Sequence, residues 1–229
     1  MDLELDQRIS ELIGQCGGDL WGVADLAGLS PLPGDGVRVD LAPFPRAVSI
    51  AVFFPKTIIQ DLLAGPSLTY LYEYNILNAR LDDLALRVSN LLQKTSHAAY
   101  PIPASQRHGR DRMQSIFSHR MAAHLAGLGW IGKSCCLITP QAGPRVRLVT
   151  VLTDAPLAPG APLAPACGDC LACVRACPPH AIKGVEFHPN QPLSERLDPA
   201  ACSSYKDKVR DRWGKRCCGL CLAVCPVGM

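Results

Sequence analysis

Long apolar runs are what this 229-residue sequence most plainly lacks. None approaches the roughly 18 residues that a membrane-spanning helix requires, and the acidic start MDLELD carries no basic region of the kind that opens a signal peptide. Both absences point to a cytoplasmic protein with no membrane partner. Net charge is scarce as well: 23 Lys and Arg against 20 Asp and Glu leave +3. That is too little to argue for a nucleic-acid surface by itself, and the basic stretch KDKVRDRWGKR reads as a solvated face. Cysteine is nearly missing before residue 166, where only Cys16, Cys135 and Cys136 occur, and then abundant, with nine from Cys167 to Cys225. A reducing compartment disfavours disulfides, which leaves metal binding or redox chemistry for the nine. Cys16 reads as a small buried apolar residue.

Just before the change in cysteine density lies APLAPGAPLAPA (155–166). It is too rich in proline for a helix or a central strand, so it reads as a semi-rigid linker or surface loop. The expected organisation is therefore a domain over residues 1–155 and a smaller one over 156–229. Upstream, Leu5, Ile9, Leu12 and Ile13 share one helix face. LWGVADLA reads as a strand, and RAVSIAVFF as a central strand stopped by Pro55. Leu77, Leu81, Leu84, Val88 and Leu91 predict a long amphipathic helix. RVRLVTVLTD predicts a further strand, and the alternation of strands and helices predicts an α/β (α+β) domain.

GLGWIGKS, Gly127 to Ser134, satisfies both G-x-G-x-x-G and G-x-x-x-x-G-K-[ST]. Either pattern binds phosphate only where a strand runs into the glycines and a helix starts after them. Here Phe117, Met121 and Leu125 predict a helix before the block, and CCLITP predicts a strand after it. A helix-loop-strand order excludes a P-loop.

The run CGDCLACVRACP places Cys167, Cys170, Cys173 and Cys177 as C-x2-C-x2-C-x3-C-P, the bacterial ferredoxin spacing, in which the fourth thiolate ligates the other cluster. One run therefore predicts a second, and CCGLCLAVCP supplies Cys218, Cys221 and Cys225. The expected sets are Cys167, Cys170, Cys173 and Cys225 for one [4Fe-4S] cluster and Cys177, Cys202, Cys218 and Cys221 for the other. Cys217 competes with Cys202 for the eighth position. Structural zinc, which also uses closely spaced cysteines, is the alternative that the interleaved order disfavours. The small domain is thus expected to be ferredoxin-like, with two clusters that need a low-potential electron donor as partner.

SHRMAAHLAGLGWIGKSCCLITPQAGPRVRL, followed by VLTDAPL and the two cysteine runs, resembles the epoxyqueuosine reductases, cobalamin-dependent iron-sulfur enzymes that complete queuosine in tRNA. The resemblance implies that the first domain binds a base-off corrinoid against the glycine block, the glycines letting backbone approach the flat macrocycle. It implies His119, Arg120, Gly129, Trp130, Ile131, Gly132, Lys133, Ser134 and Cys135 as the cofactor-binding residues. A helix C-cap followed by a tight turn is the other reading of the glycines. Cys135 and Cys136, if on a strand, face opposite sides, so only one can point at a corrin.

The departures from the family are specific. The family's acid falls on Met113, two residues from Asp111, and its Glu-Arg pair reads His119-Arg120 here. The basic and aromatic motif of the earlier helix reads YEYNILNARLDD, and the helical-repeat extension that holds tRNA is not in this sequence. The expectation is a redox protein whose two clusters pass electrons to a base-off corrinoid, with a small molecule or a partner's corrinoid as acceptor rather than tRNA. Corrinoid storage or maintenance without turnover, and a plain ferredoxin-like carrier with a docking domain, are the alternatives.

Overall fold

The computed structural model describes residues 3–27, 29, 39–105 and 115–228. The elements are α1 (Leu3–Gln15), β1 (Leu20–Asp25), β2 (Arg46–Phe53), α2 (Lys56–Asp61), α3 (Leu68–Lys94), β3 (Ala99–Ile102), α4 (His119–Leu125), β4 (Trp130–Ile131), β5 (Leu137–Ile138), β6 (Val146–Thr153), α5 (Ala172–Arg175), α6 (Pro199–Trp213) and α7 (Leu220–Ala223). They form two compact units. One comprises residues 1–53, 76–129 and 147–163, the other 54–75, 130–146 and 164–229. The division differs from the expected one at 155/156: segments 54–75 and 130–146 pack with the cysteine-rich part, although their own sequence carries apolar patterning like that of the first half.

The first unit is built on a sheet of order β1-β2-β6-β3. β1 pairs antiparallel with β2, Leu20 opposite Ala51, and β3 pairs antiparallel with β6, Ala99 opposite Thr153. β2 is buried from Ala47 to Val52, as its continuous apolar run predicts for a central strand. β3, which the sequence left unassigned, tolerates Pro101 because it lies at the sheet's edge, where a missing N–H costs no ladder bond. α1 buries Leu5, Ile9 and Ile13, and α3 buries Leu77, Leu81, Leu84, Val88 and Leu92. Leu91, expected on that face, is only half-buried.

The proline-rich stretch is strapped down rather than free. Gly160 N–H donates to the Val23 carbonyl at 2.8 Å, Arg46 Nε donates to the Leu157 carbonyl at 3.3 Å, and Ala155 and Leu157 are buried. Extended prolines leave carbonyls to accept such bonds, which a flexible linker would give to water.

In the second unit β4 and β5 form a two-stranded hairpin. α6 starts at Asp198, whose carboxylate accepts from Ala201 N at 2.9 Å, with Pro199 in the first turn. It ends at Gly214, whose φ of 76° is open to glycine without penalty. Arg145 fastens the segment after Cys225, its Nε donating to the Gly228 carbonyl at 3.1 Å and its Nη1 to the Phe54 carbonyl at 2.6 Å.

Candidate iron-sulfur and corrinoid site

The glycine block follows from two backbone devices in succession. α4 is shorter than the spacing of Phe117, Met121 and Leu125 predicts: Ser118 caps it, accepting from Met121 N, so Phe117 lies before the first turn. The helix ends with Leu128 N–H on the Ala123 carbonyl at 2.9 Å and Gly127 N–H on the His124 carbonyl at 3.0 Å. That pair, with Gly127 at φ 79°, is a Schellman cap. A Cβ at Gly127 would also stand 2.7 Å from the Ala161 carbonyl oxygen. The capping role of this glycine is therefore filled within the protein.

The second device is the β4–β5 hairpin, with Trp130 opposite Ile138 and Ile131 opposite Leu137. Its loop is closed by Gly132 N–H on the Cys136 carbonyl at 2.9 Å and Cys135 N–H on the Gly132 carbonyl at 2.8 Å. No helix follows Ser134, so the order needed for a P-loop is absent, as predicted. Cys135 and Cys136 are not on a strand. They occupy the hairpin loop, and Cys135 takes a left-handed φ of 58°, so the alternating-face expectation does not apply to them.

This loop meets both cysteine runs. A Cβ at Gly132 would lie 3.3 Å from Cys167 Sγ, so the absent side chain makes room for that thiol. The Lys133 ammonium donates to the Gly168 carbonyl, between Cys167 and Cys170. Arg196 Nη1 donates to Cys135 Sγ at 3.7 Å, and its guanidinium lies 4.8 Å over the Phe187 ring. Cys136 lies beside both Cys221 and Cys225.

Thiols of the two runs lie near one another. Burial, then the neighbouring Cys167, Cys170 and Cys225, push the Cys173 thiol up to about 11. Burial, then Cys167 and Cys170, raise Cys225. Four thiols from the two runs are thus mutual electrostatic neighbours. In the other set, Cys177 packs with Cys202 and Cys221, and Ala181 N–H donates to Cys177 Sγ at 3.3 Å. A hydrogen bond donated to Cys136, then burial, raises Cys221, which also feels Cys218. Cys217 stands apart: it is buried, and its S–H donates to the Ser67 carbonyl at 3.8 Å.

Among the described residues no three His, Cys, Asp or Glu side chains converge on the point a single ion would occupy. A four-iron cube is larger than an ion, and its thiolates surround it at a distance from one another. Two further observations fit such anionic groups. Thiols that raise one another's pKa need a cationic centre before they can ionise together, which iron supplies. Conversely, Lys133 and Arg196 are 8% and 5% exposed, yet neither has a carboxylate partner among the described residues, and Arg196 Nε has no hydrogen-bond partner. Buried cations require a counter-charge, and a thiolate-ligated cluster is one.

For a corrin the residues give less. His119 Nε2 donates to the Pro103 carbonyl at 2.9 Å, which can only accept, so Nδ1 accepts from the Thr150 hydroxyl at 2.8 Å. Burial lowers its pKa to about 4, so the ring is neutral with both nitrogens committed inside the protein. Lys133 and Cys135 are likewise engaged, and Gly129 through Cys135 are buried throughout. The Trp130 indole Nε1 alone of this block is buried without a partner, a donor left for a ligand. Arg120 is half-buried; Asp111 and Met113 lie outside the described residues. His124, which showed no metal-ligand spacing in the sequence, proves to hold the block in place: it is buried, and its Nδ1–H donates to the Gly129 carbonyl at 3.1 Å. Its position in the last turn of a helix before a glycine turn was the available signal.

No protein-family profile matches the chain. An epoxyqueuosine reductase of Bacillus anthracis is 33% identical over 48% of this chain and 29% of its own length. Over that stretch the chain is similar to epoxyqueuosine reductases. A tetrachloroethene reductive dehalogenase of Desulfitobacterium hafniense is 29% identical over 85% of this chain and 37% of its own. Among solved structures, a catabolic reductive dehalogenase superposes with a TM-score of 0.76 at 19% identity, over 96% of this chain and 31% of that one. An epoxyqueuosine reductase does so with 0.62 at 22%, over 98% and 66%. The mixed α/β fold is shared with both, and the chain spans about a third of the curated relatives it matches. The dehalogenase likeness, which extends over 85% of the chain, is what the sequence reading missed.

Proposed function

We propose that this is a corrinoid and iron-sulfur redox protein, with Cys167, Cys170, Cys173 and Cys225 holding one four-iron cluster and Cys177, Cys202, Cys218 and Cys221 the other. The observation that carries the reading is the meeting of Cys225 with Cys167, Cys170 and Cys173, thiols from separate runs that approach only if the runs interleave. When bound, the clusters supply one-electron transfer to a base-off corrinoid. The chain's own residues do the rest. Gly132 leaves room for Cys167, Lys133 fixes the Cys167–Cys170 loop and supplies positive charge, and Trp130 Nε1–H is the donor offered to the corrinoid.

Epoxyqueuosine is not the substrate in this reading, and a small organic acceptor is. What supports this is the reach of the likeness: the tetrachloroethene dehalogenase matches 85% of the chain and the epoxyqueuosine reductase 48%, and a solved reductive dehalogenase of the same fold is described as B12-dependent. Anaerobic reconstitution with iron, sulfide and cobalamin tests both parts. Iron for two four-iron clusters and corrinoid bands in the optical spectrum of the desalted protein are expected. A single cluster, or protein free of corrinoid, overturns the corresponding part. Turnover of epoxyqueuosine-containing tRNA at the rate of a genuine reductase overturns the substrate assignment.

A further inference from the structure

The charge of this chain is concentrated in one place. Lys206 to Arg216 holds six cations and two carboxylates in eleven residues, an excess of four, while the whole chain carries only +3. Everything else is therefore slightly acidic, and the stretch is a distinct basic face rather than part of a basic protein. The two carboxylates on it are already engaged: Asp207 by Arg210 and Arg216, Asp211 by Arg210. Lys208, Arg212 and Lys215 are exposed and have no ion-pair partner among the described residues, and Trp213 stands among them, 51% exposed. An exposed aromatic with unpaired cations in the same stretch is the usual make-up of a protein-docking patch.

The same helix, α6, carries cysteine ligands. Cys202 lies in it and Cys218 just beyond it. Tyr205 sits beside Cys218 and Cys177, and Lys206 beside Cys217 and Cys221. The basic stretch thus adjoins the second cysteine set, whereas the glycine block meets the first set through Gly132 and Cys167. We propose that the α6 face around Trp213 docks an acidic low-potential electron-transfer protein, and that electrons enter at the Cys177, Cys202, Cys218, Cys221 set. This rests on the iron-sulfur reading above and deepens it by naming the partner's chemistry and the point of entry. In the transfer, one electron leaves the donor's reduced centre, the cluster is reduced by one electron, and no bond is made or broken. A nucleic acid fits the face less well, because its phosphates would meet Asp207 and Asp211 on the same helix, where a protein can offer groups of both signs.

The test uses the reconstituted holoprotein and an acidic flavodoxin as probe, with calorimetry at low and moderate salt and stopped-flow reduction of the clusters by the flavodoxin hydroquinone. The variant is Lys208→Gln, Arg212→Gln, Lys215→Gln, all three exposed, and the control is Arg8→Gln, Lys94→Gln elsewhere on the surface. The triple variant is expected to lose tenfold or more in affinity and in rate at low salt, with a flatter salt dependence. Its rate with reduced methyl viologen, a small cation, stays at the wild-type value. An unchanged flavodoxin affinity, or an equal loss in the control, overturns the proposal. Binding of tRNA that the triple variant abolishes while flavodoxin is indifferent overturns it in favour of a nucleic acid. Wild-type protein that holds no iron rejects the iron-sulfur reading itself, which iron and sulfide determination on the same sample distinguishes.

Discussion

Two buried cations without carboxylate partners among the described residues, Lys133 and Arg196, are the most consequential residues of the second unit, since a buried charge costs several kcal/mol unless something of opposite sign answers it. Lys133 donates to the carbonyl of Gly168, the residue after Cys167. Replacing Lys133 by Met should leave the iron content intact and move the midpoint potential of one cluster to more negative values, because reduction adds negative charge that the ammonium no longer stabilises. Lys133→Arg, which keeps the charge, should shift it less. Anaerobic redox titration followed by electron paramagnetic resonance reads both, and equal midpoints in all three proteins would deny the lysine any such part. His119 makes a separate prediction in the first unit. Its folded pKa of about 4 lies below the ordinary 6.5, so between those values the unfolded state binds more protons. Stability is complete above pH 6.5 and is lost as pH falls toward 4. His119→Gln should flatten that decline in urea titrations at pH 7 and pH 5, and an equally steep decline in the variant would assign it to other groups.

At the scale of elements, the turns carry the site, and their glycines are where substitution should hurt most. Gly143 has φ 57° and packs its Cα against the Val227 carbonyl, two residues past Cys225. Gly143→Ala should displace that segment and lower iron occupancy of the first cysteine set, with a stability loss of more than about 1 kcal/mol. Full iron content with unchanged stability would show that the segment holds without it. Such features were hard to read in advance. α1, α3, β2 and β6 were legible because each repeats its apolar period over enough residues to decide between 3.6 and 2. β4 and β5 are two residues each, too short for any period, and Cys135 and Cys136 were misplaced on a strand for that reason. The two cysteine runs stood out because their spacing is local, whereas Lys133 and Arg196 became informative only once their burial was known. The proline stretch misled because its composition states which elements it cannot form and says nothing about what its carbonyls bind.

At the scale of the whole molecule, the two units differ in what holds them together. The first has a four-stranded sheet in which β2 and β6 are buried almost throughout, and long helices α1 and α3 that each bury an apolar face. The second has two-residue strands and four-residue helices α5 and α7 beside the longer α6; Phe54, Ile59, Leu62 and Leu137 are buried in it, but around Cys177 the buried cluster is only Ala181 and Ile182. Iron-thiolate bonds joining Cys173 to Cys225 and Cys177 to Cys218 would close long stretches of chain, and a clip of that kind stabilises by restricting the unfolded ensemble. Removing the iron should therefore loosen one unit and spare the other. Anaerobic chelation followed by amide hydrogen exchange should show lost protection over residues 164–228 and in the β4–β5 hairpin, while β2, β6 and the middle of α3 stay protected. Cys170→Ser should reproduce part of this, extending beyond its own set because the interleaved runs share α5 and α7. Uniform loss of protection across both units would mean that the sheet depends on the clusters as well, and undiminished protection in the second would mean that its polypeptide core suffices.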